Sequence, residues 1–232
     1  MNISNIKPDR RKAIALLKRE LPVFVYDAVQ LEGINFTLPE VQTLMDGVTV
    51  GGHKLSDQEI ALNQAAAWKQ LIIDIDVDAF EVTAKYAKRL HSIAGRNEAL
   101  EWGVFRSGAV TIAGTDYMPP QAASLEERFK TLEVEVLNTA IIYEKAIHCF
   151  LNMARTQYFP QTESYDVNKR MGRFIMNGIL LQAGYPAINV KASRQLEFNE
   201  RMLQFYETGE ELPMQEFLIS CLDQKYIAVM SG

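Results

Sequence analysis

A helical period that returns along nearly the whole chain limits the fold more than any other feature. Over 57–74, Leu62, Ala65, Ala66 and Lys69 recur at three- and four-residue spacing, which gathers them on one face of an α-helix. Similar patterns cover 8–20, 38–46, 79–94, about 134–156, 168–184, 193–208 and 213–223. Local signals punctuate them. Thr37 is placed to cap 38–46, Pro39 suits its first turn, and Glu40 suits the positive end of its dipole. Ser124 and Glu127 have the S-x-x-E spacing of a capping box. The acidic run Asp74, Asp76, Asp78 precedes 79–94, where carboxylates fit a helix start better than a metal site. Only 101–120 departs from the habit. VFRSGAVTIAG alternates around a Ser-Gly pair with Val110 and Ile112 on one face, which predicts a β-hairpin ended by Tyr117, Met118, Pro119 and Pro120. The expected fold class is mainly α, a helical bundle with one small β-hairpin.

Length and charge narrow the function. With 232 residues there is ample chain for a core, and neither repeats nor a convincing linker divide it. A net charge of −5 supplies no global field for nucleic acid or an acidic membrane, so anion binding has to be local. Cys149 and Cys221 lie in apolar runs and read as buried free thiols in a reducing compartment. The first twenty residues hold no apolar leader, and no stretch approaches the ~20 apolar residues of a membrane helix. A cytoplasmic location is the expectation. GGH at 51–53 is a lone glycine pair, and Phe198, Phe205 and Tyr206 repeat at the spacing of a core-facing helix stripe.

The stretch SYDVNKRMGRFIMNG, 164–178, sets Asn168, Lys169, Arg170 and Arg173 where a helix is predicted to begin. Cations are least favoured there, because the free N–H groups already carry partial positive charge. Arg170 and Arg173 are three apart and share a face. Together with the helix N-terminus they make an anion site suited to phosphate. On spacing alone, a solvated basic turn whose arginines pair with surface carboxylates stays open.

The longer text DVNKRMGRFIMNGILLQAGYP resembles the core motif of the Fic (Fido) family, H-x-F-x-D/E-G/A-N-G/K-R-x-x-R, with Asp166, Asn168, Lys169, Arg170 and Arg173 in order. YDAVQLEGINFTLPEVQTLMDG looks like the family's inhibitory segment followed by its T-x-x-E-V helix, and VFRSGAVTIAGTDYMPP looks like its hairpin flap. The resemblance implies a single Fic-like domain over 1–232, with the inhibitory-type part in 1–60 and the core in 61–232. It implies AMP transfer from ATP to a protein hydroxyl, with Mg²⁺ as escort. It places Asn168, Lys169, Arg170, Gly172 and Arg173 at the nucleotide: Arg170 on the α- or β-phosphate and Arg173 on the γ-phosphate. Asp166 becomes the Mg²⁺ ligand and Glu32 the inhibitory glutamate that competes for Arg173. A target protein segment would dock on the 104–113 hairpin.

Three positions depart from the pattern. The family's general base is a histidine, and the chain's three histidines, His53, His91 and His148, all lie elsewhere. An ungapped count back from Asp166 reaches Thr162. Allowing the loop to lengthen by 161–165 puts Gln157 at the histidine position and Phe159 at the aromatic, the alignment preferred here. Neither residue replaces an imidazole near neutral pH. His148 reads as a core histidine of the 134–156 helix. Val167 stands where glycine or alanine is usual, and Ala28 where the inhibitory segment has serine or threonine. Impaired transfer by a nucleotide-binding protein is therefore expected, with a catalytically inactive Fic-fold binding module as the alternative.

Overall fold

The two most deeply buried helices pack against each other at the centre: α6 (Ile142–Thr156) and α7 (Asn168–Gln182). This computed structural model describes residues 3–98, 101–161 and 167–232, with Ser4 as backbone alone. Gly172 allows the close approach. A Cβ there would lie 2.9 Å from Phe150 Cδ2 and 3.0 Å from the Phe150 carbonyl oxygen.

Around this pair stand α1 (Arg10–Leu31), α2 (Leu38–Met45), α3 (Leu55–Asp76), α4 (Ala84–Ala94), α5 (Leu125–Asn138), α8 (Gln195–Thr208), α9 (Leu212–Ser220) and α10 (Gln224–Ser231). Helices α1, α3 and α4 each reach α7, α5 and α9 pack on α6, and α10 closes against α1. The core is continuous and aromatic, with Trp68 edge-on to both Phe24 and Phe174. Phe198, Phe205 and Tyr206 are buried in it, as are the free thiols Cys149 and Cys221. Among the described residues no helix is long and apolar enough to cross a membrane.

The capping box appears at Thr37, whose Oγ1 accepts from the Glu40 N–H while Glu40 accepts from the Thr37 N–H. Other local expectations are corrected. Helix α1 does not stop near residue 20 but runs on through Pro22, because Phe24, Val25, Ala28 and Val29 continue its buried face. Core burial outweighs the proline penalty of about 3 kcal/mol. Ser124 forms no capping box; its hydroxyl donates to the Gln121 carbonyl and accepts from Arg128 Nε. The 134–156 helix is two helices, separated at 139–141. Asp74 and Asp76 do not start a helix: they end α3, and Thr83 caps α4. Buried Asp74 is satisfied by Tyr86, Arg89 and Gln70.

The expected β-hairpin is absent: no strand occurs among the described residues. Residues 101–120 form an irregular, mostly exposed loop anchored chiefly by the side chain of Arg106. Arg106 Nε donates to the Gln157 carbonyl at 2.6 Å, and its Nη groups donate to the carbonyls of Gly108, Pro120 and Thr156. A guanidinium therefore joins the two arms where a backbone ladder was predicted.

His148 is half-buried between two carboxylates, not a core histidine. Its Nδ1 lies 2.7 Å from Glu211 and its Nε2 3.1 Å from Glu135 of α5. The hydrogen bond to Glu211, with that to Glu135, raises its pKa to about 9 against partial desolvation. A histidine raised in the fold stabilises fully below its unfolded pKa of about 6.5. That stability fades as pH rises through the folded value. Thermal melts should therefore show the melting temperature falling between pH 6.5 and pH 9, and His148→Gln should flatten the slope. Gly172→Ala should destabilise the protein by about 1–3 kcal/mol in denaturant titrations, because overpacking against a backbone oxygen outweighs alanine's helix preference of about 1 kcal/mol.

Candidate nucleotide-phosphate site

The start of α7 has the makings of an anion site. Its cap residue, Val167, offers no side-chain oxygen to the first-turn N–H groups. The backbone of Val167 is right-handed, φ −77 and ψ −14, so the β-branched residue sits there without strain. Asn168 turns its amide sideways. Its Oδ1 accepts from the Phe159 N–H at 2.8 Å and its Nδ2 donates to the Phe159 carbonyl at 3.1 Å, closing the base of the intervening loop. This side chain holds the base of the loop. Gly172 faces Phe150 of α6 and serves the packing of the two helices. Lys169 is half-buried.

Arg170 and Arg173 converge on a single carboxylate. Arg173 Nη2 donates to Glu32 Oε1 at 3.2 Å, and the same oxygen lies 4.0 Å from Arg170 Nε. Glu32 is delivered by the way α1 ends. Its N–H bonds back to the Val29 carbonyl, and Gly33 turns the chain at φ +79, a conformation glycine adopts without steric cost. Gln195 of α8 donates to the carbonyls of Gln30 and Leu31 and fixes that helix end. The arginines are not part of a solvated basic turn: Arg170 is 1% exposed and Arg173 8%. The cavity beside them, lined by Ala28, Gln64, Trp68 and both arginines, measures about 20 Å³, room for about one water.

A second carboxylate was not foreseen. Glu98, in the turn after α4, receives both terminal nitrogens of Arg170 as a fork, with a 3.1 Å bond from Nη1 and a shorter one from Nη2. Both partners are buried. Nothing in the sequence singles out Glu98 among 29 acidic residues.

Gln157 ends α6 in the left-handed region at φ 55 and is fully buried. Its amide Nε2 donates to the Ala154 carbonyl, and its Oε1 accepts from Gln161. Phe159 is buried as the aromatic anchor and stacks on His91 with ring centroids 4.1 Å apart. His91, on α4, lies outside the motif in sequence but beside it in the fold. Its Nδ1 accepts from the Gly103 N–H at 2.9 Å, and burial, helped by the charge of Arg170, lowers its pKa to about 3. His53 pairs with Glu40 at 3.2 Å, on another part of the surface. The expected metal ligand Asp166 and the alternative base position Thr162 lie outside the described residues. Among the described residues no group of three or more His, Cys, Asp or Glu side chains is placed to hold a metal ion.

No family model matches the chain. In sequence it is 24% identical over 205 residues to a protein adenylyltransferase Fic from Drosophila willistoni, and 25% identical over 206 residues to that of Drosophila erecta. Each match covers 86% of this chain and 40% of the relative, so the chain spans less than half the length of these curated relatives. In structure it is similar to a Fic-domain signalling protein from Bacteroides thetaiotaomicron, with a TM-score of 0.78, 17% identity, and coverage of 98% of this chain and 91% of that one. It is also similar to a Fic family protein from Desulfovibrio desulfuricans, with a TM-score of 0.74, 21% identity, and coverage of 92% and 65%. The chain therefore has the fold of these Fic-domain structures, and its sequence is similar to the protein adenylyltransferases Fic over most of its own length.

Proposed function

We propose that this chain binds the phosphates of a nucleoside triphosphate, ATP by family chemistry, at the start of α7, and that it transfers AMP to protein hydroxyls poorly if at all. The observation that carries the reading is the carboxylate of Glu32 held by Arg173 and facing Arg170. A buried carboxylate between two guanidiniums marks where an anion is stabilised, and a phosphate suits the same donors. In the nucleotide-free protein Glu32 fills that place, and the cavity beside it is far too small for a triphosphate. Binding therefore requires Glu32 to leave. The relatives are named adenylyltransferases, which makes AMP transfer the reaction to test.

In that reaction a hydroxyl oxygen of the target bonds to the α-phosphorus, the bond to pyrophosphate breaks, and the hydroxyl proton passes to a base. A positioned base contributes about 10²–10⁴-fold to rate. Gln157 cannot accept that proton at neutral pH, and its amide is already committed to Ala154 and Gln161. His91 is neutral but sealed against Phe159 with no exposed surface, out of reach of a docked hydroxyl. These placements favour a protein that binds nucleotide with impaired transfer. The 104–113 segment, held by Arg106, is the surface proposed for a protein target. Mg²⁺ stays an expectation attached to Asp166, and no step here depends on it.

Glu32→Gly should raise affinity for ATP more than for ADP in calorimetric titrations, because only the third phosphate needs the vacated Arg173. An equal gain for both would assign Glu32 to packing alone. Incubation of the unmodified protein and of Glu32→Gly with labelled ATP and a cell lysate should give little or no covalent AMP. Robust labelling would overturn the impaired-transfer reading.

A further inference from the structure

We infer that Glu98 is a second internal competitor for the same site: it masks the arginine assigned to the inner phosphates as Glu32 masks the arginine assigned to the outermost one. The inference rests on the nucleotide reading above and adds a determinant of affinity that the inhibitory segment does not contain. Arg170 gives both terminal nitrogens to Glu98 and is 1% exposed, so the group that would meet the α- or β-phosphate is fully engaged by a carboxylate from a different part of the chain. Arg173 is paired with Glu32. These four side chains carry two positive and two negative charges, so they balance one another. Removing Glu32 frees only one unit of positive charge for a ligand that carries three or four negative ones.

The two carboxylates also arrive on different elements. Glu32 sits at the end of α1, locked by the Gln195 bonds to the preceding carbonyls. Glu98 sits in the short turn after α4, where its N–H bonds back to Gly95. The imidazole of His91 fills the space above Gly95, with Nε2 at 2.6 Å from where a Cβ would stand. The same imidazole stacks on Phe159, whose backbone is clasped by Asn168 at the start of α7. The turn that carries Glu98 is therefore packed through His91 against the loop base of the anion site, which gives that site a way to sense where Glu98 stands.

The two competitors make different predictions. Losing Glu32 should favour triphosphate over diphosphate, whereas losing Glu98 should favour both alike, since both ligands need Arg170. Calorimetry with ATP, ADP and pyrophosphate on the unmodified protein, Glu32→Gly, Glu98→Gln and the double variant reads this out. Glu98→Gln in the Glu32→Gly background should strengthen ATP and ADP binding by a common factor of about ten to a hundred, the range for a charge-assisted hydrogen bond. Unchanged affinity for both, with only a lowered melting temperature, would make Glu98 a structural partner and overturn the inference. A second readout needs no nucleotide. Phenylglyoxal labelling mapped by mass spectrometry should leave Arg170 protected in the unmodified protein and reactive in Glu98→Gln. Protection of Arg170 in a folded Glu98→Gln would also overturn it. Reactive Arg170 with no binding of ATP, ADP or pyrophosphate by any variant would sink the nucleotide reading while upholding Glu98 as the mask of Arg170. Glu98→Asp, which keeps the charge but draws it back by one methylene, is read the same way should Glu98→Gln fail to fold.

Discussion

Two guanidiniums buried on one helix set the terms for everything around them. Arg170 and Arg173 project from α7 into the region between α1, α3 and α4, where water cannot solvate them. A charge taken out of water is tolerated only when an opposite charge and well-formed hydrogen bonds replace its hydration. Glu98 supplies them to Arg170, and Glu32 to Arg173. The end of α1 and the turn after α4 are thus drawn to the same point, although they lie 66 residues apart in the chain. Truncating one member of such a pair costs about 3–5 kcal/mol unless another anion arrives. A phosphate is such an anion, and under the proposed function its entry would be coupled to the release of these internal carboxylates.

The loop between α6 and α7 is held at its base by atoms that a sequence motif cannot distinguish from ligand-binding ones. Asn168 closes it by bonding both backbone groups of Phe159. Arg106 holds it from outside through the carbonyls of Thr156 and Gln157 at the end of α6, where helix carbonyls lack intrahelical partners. Phe105, Phe129, Tyr158 and Phe159 fill the space between these clasps with aromatic contacts. Gln157 is consumed by this architecture: its carbonyl serves Arg106 and its amide serves Ala154. A side chain so engaged fixes the end of the helix instead of facing a substrate.

Legibility followed the range of the interactions. Helix positions, the Thr37 cap and the basic start of α7 were readable because period, capping and dipole effects act within a few residues. The pairing of Glu32 with Arg173 was readable only through the family resemblance of QLEGINF, since nothing local connects residues 141 apart. The hairpin was misread because alternation in VFRSGAVTIAG says how residues would face if a ladder formed, not whether one does. The ladder's place was taken by Arg106, whose partners lie as far as Gln157. The helix start assigned to Asp74 was misread for the same reason: its buried partners Tyr86 and Arg89 arrive from α4.

By itself the sequence determined that the chain is helical, that a basic cluster, Lys169, Arg170 and Arg173, stands where a helix begins, and that its three histidines lie outside that stretch. Each of these depends on neighbours in the chain or on which residues are present. Only the tertiary structure decided that Arg170 belongs to Glu98, that His91 lies sealed against Phe159, and that Gly172 serves the contact of α6 with α7. Those are pairings between distant segments, and the energy that selects them, the compensation of buried charge and the exclusion of void, exists only once the helices are packed.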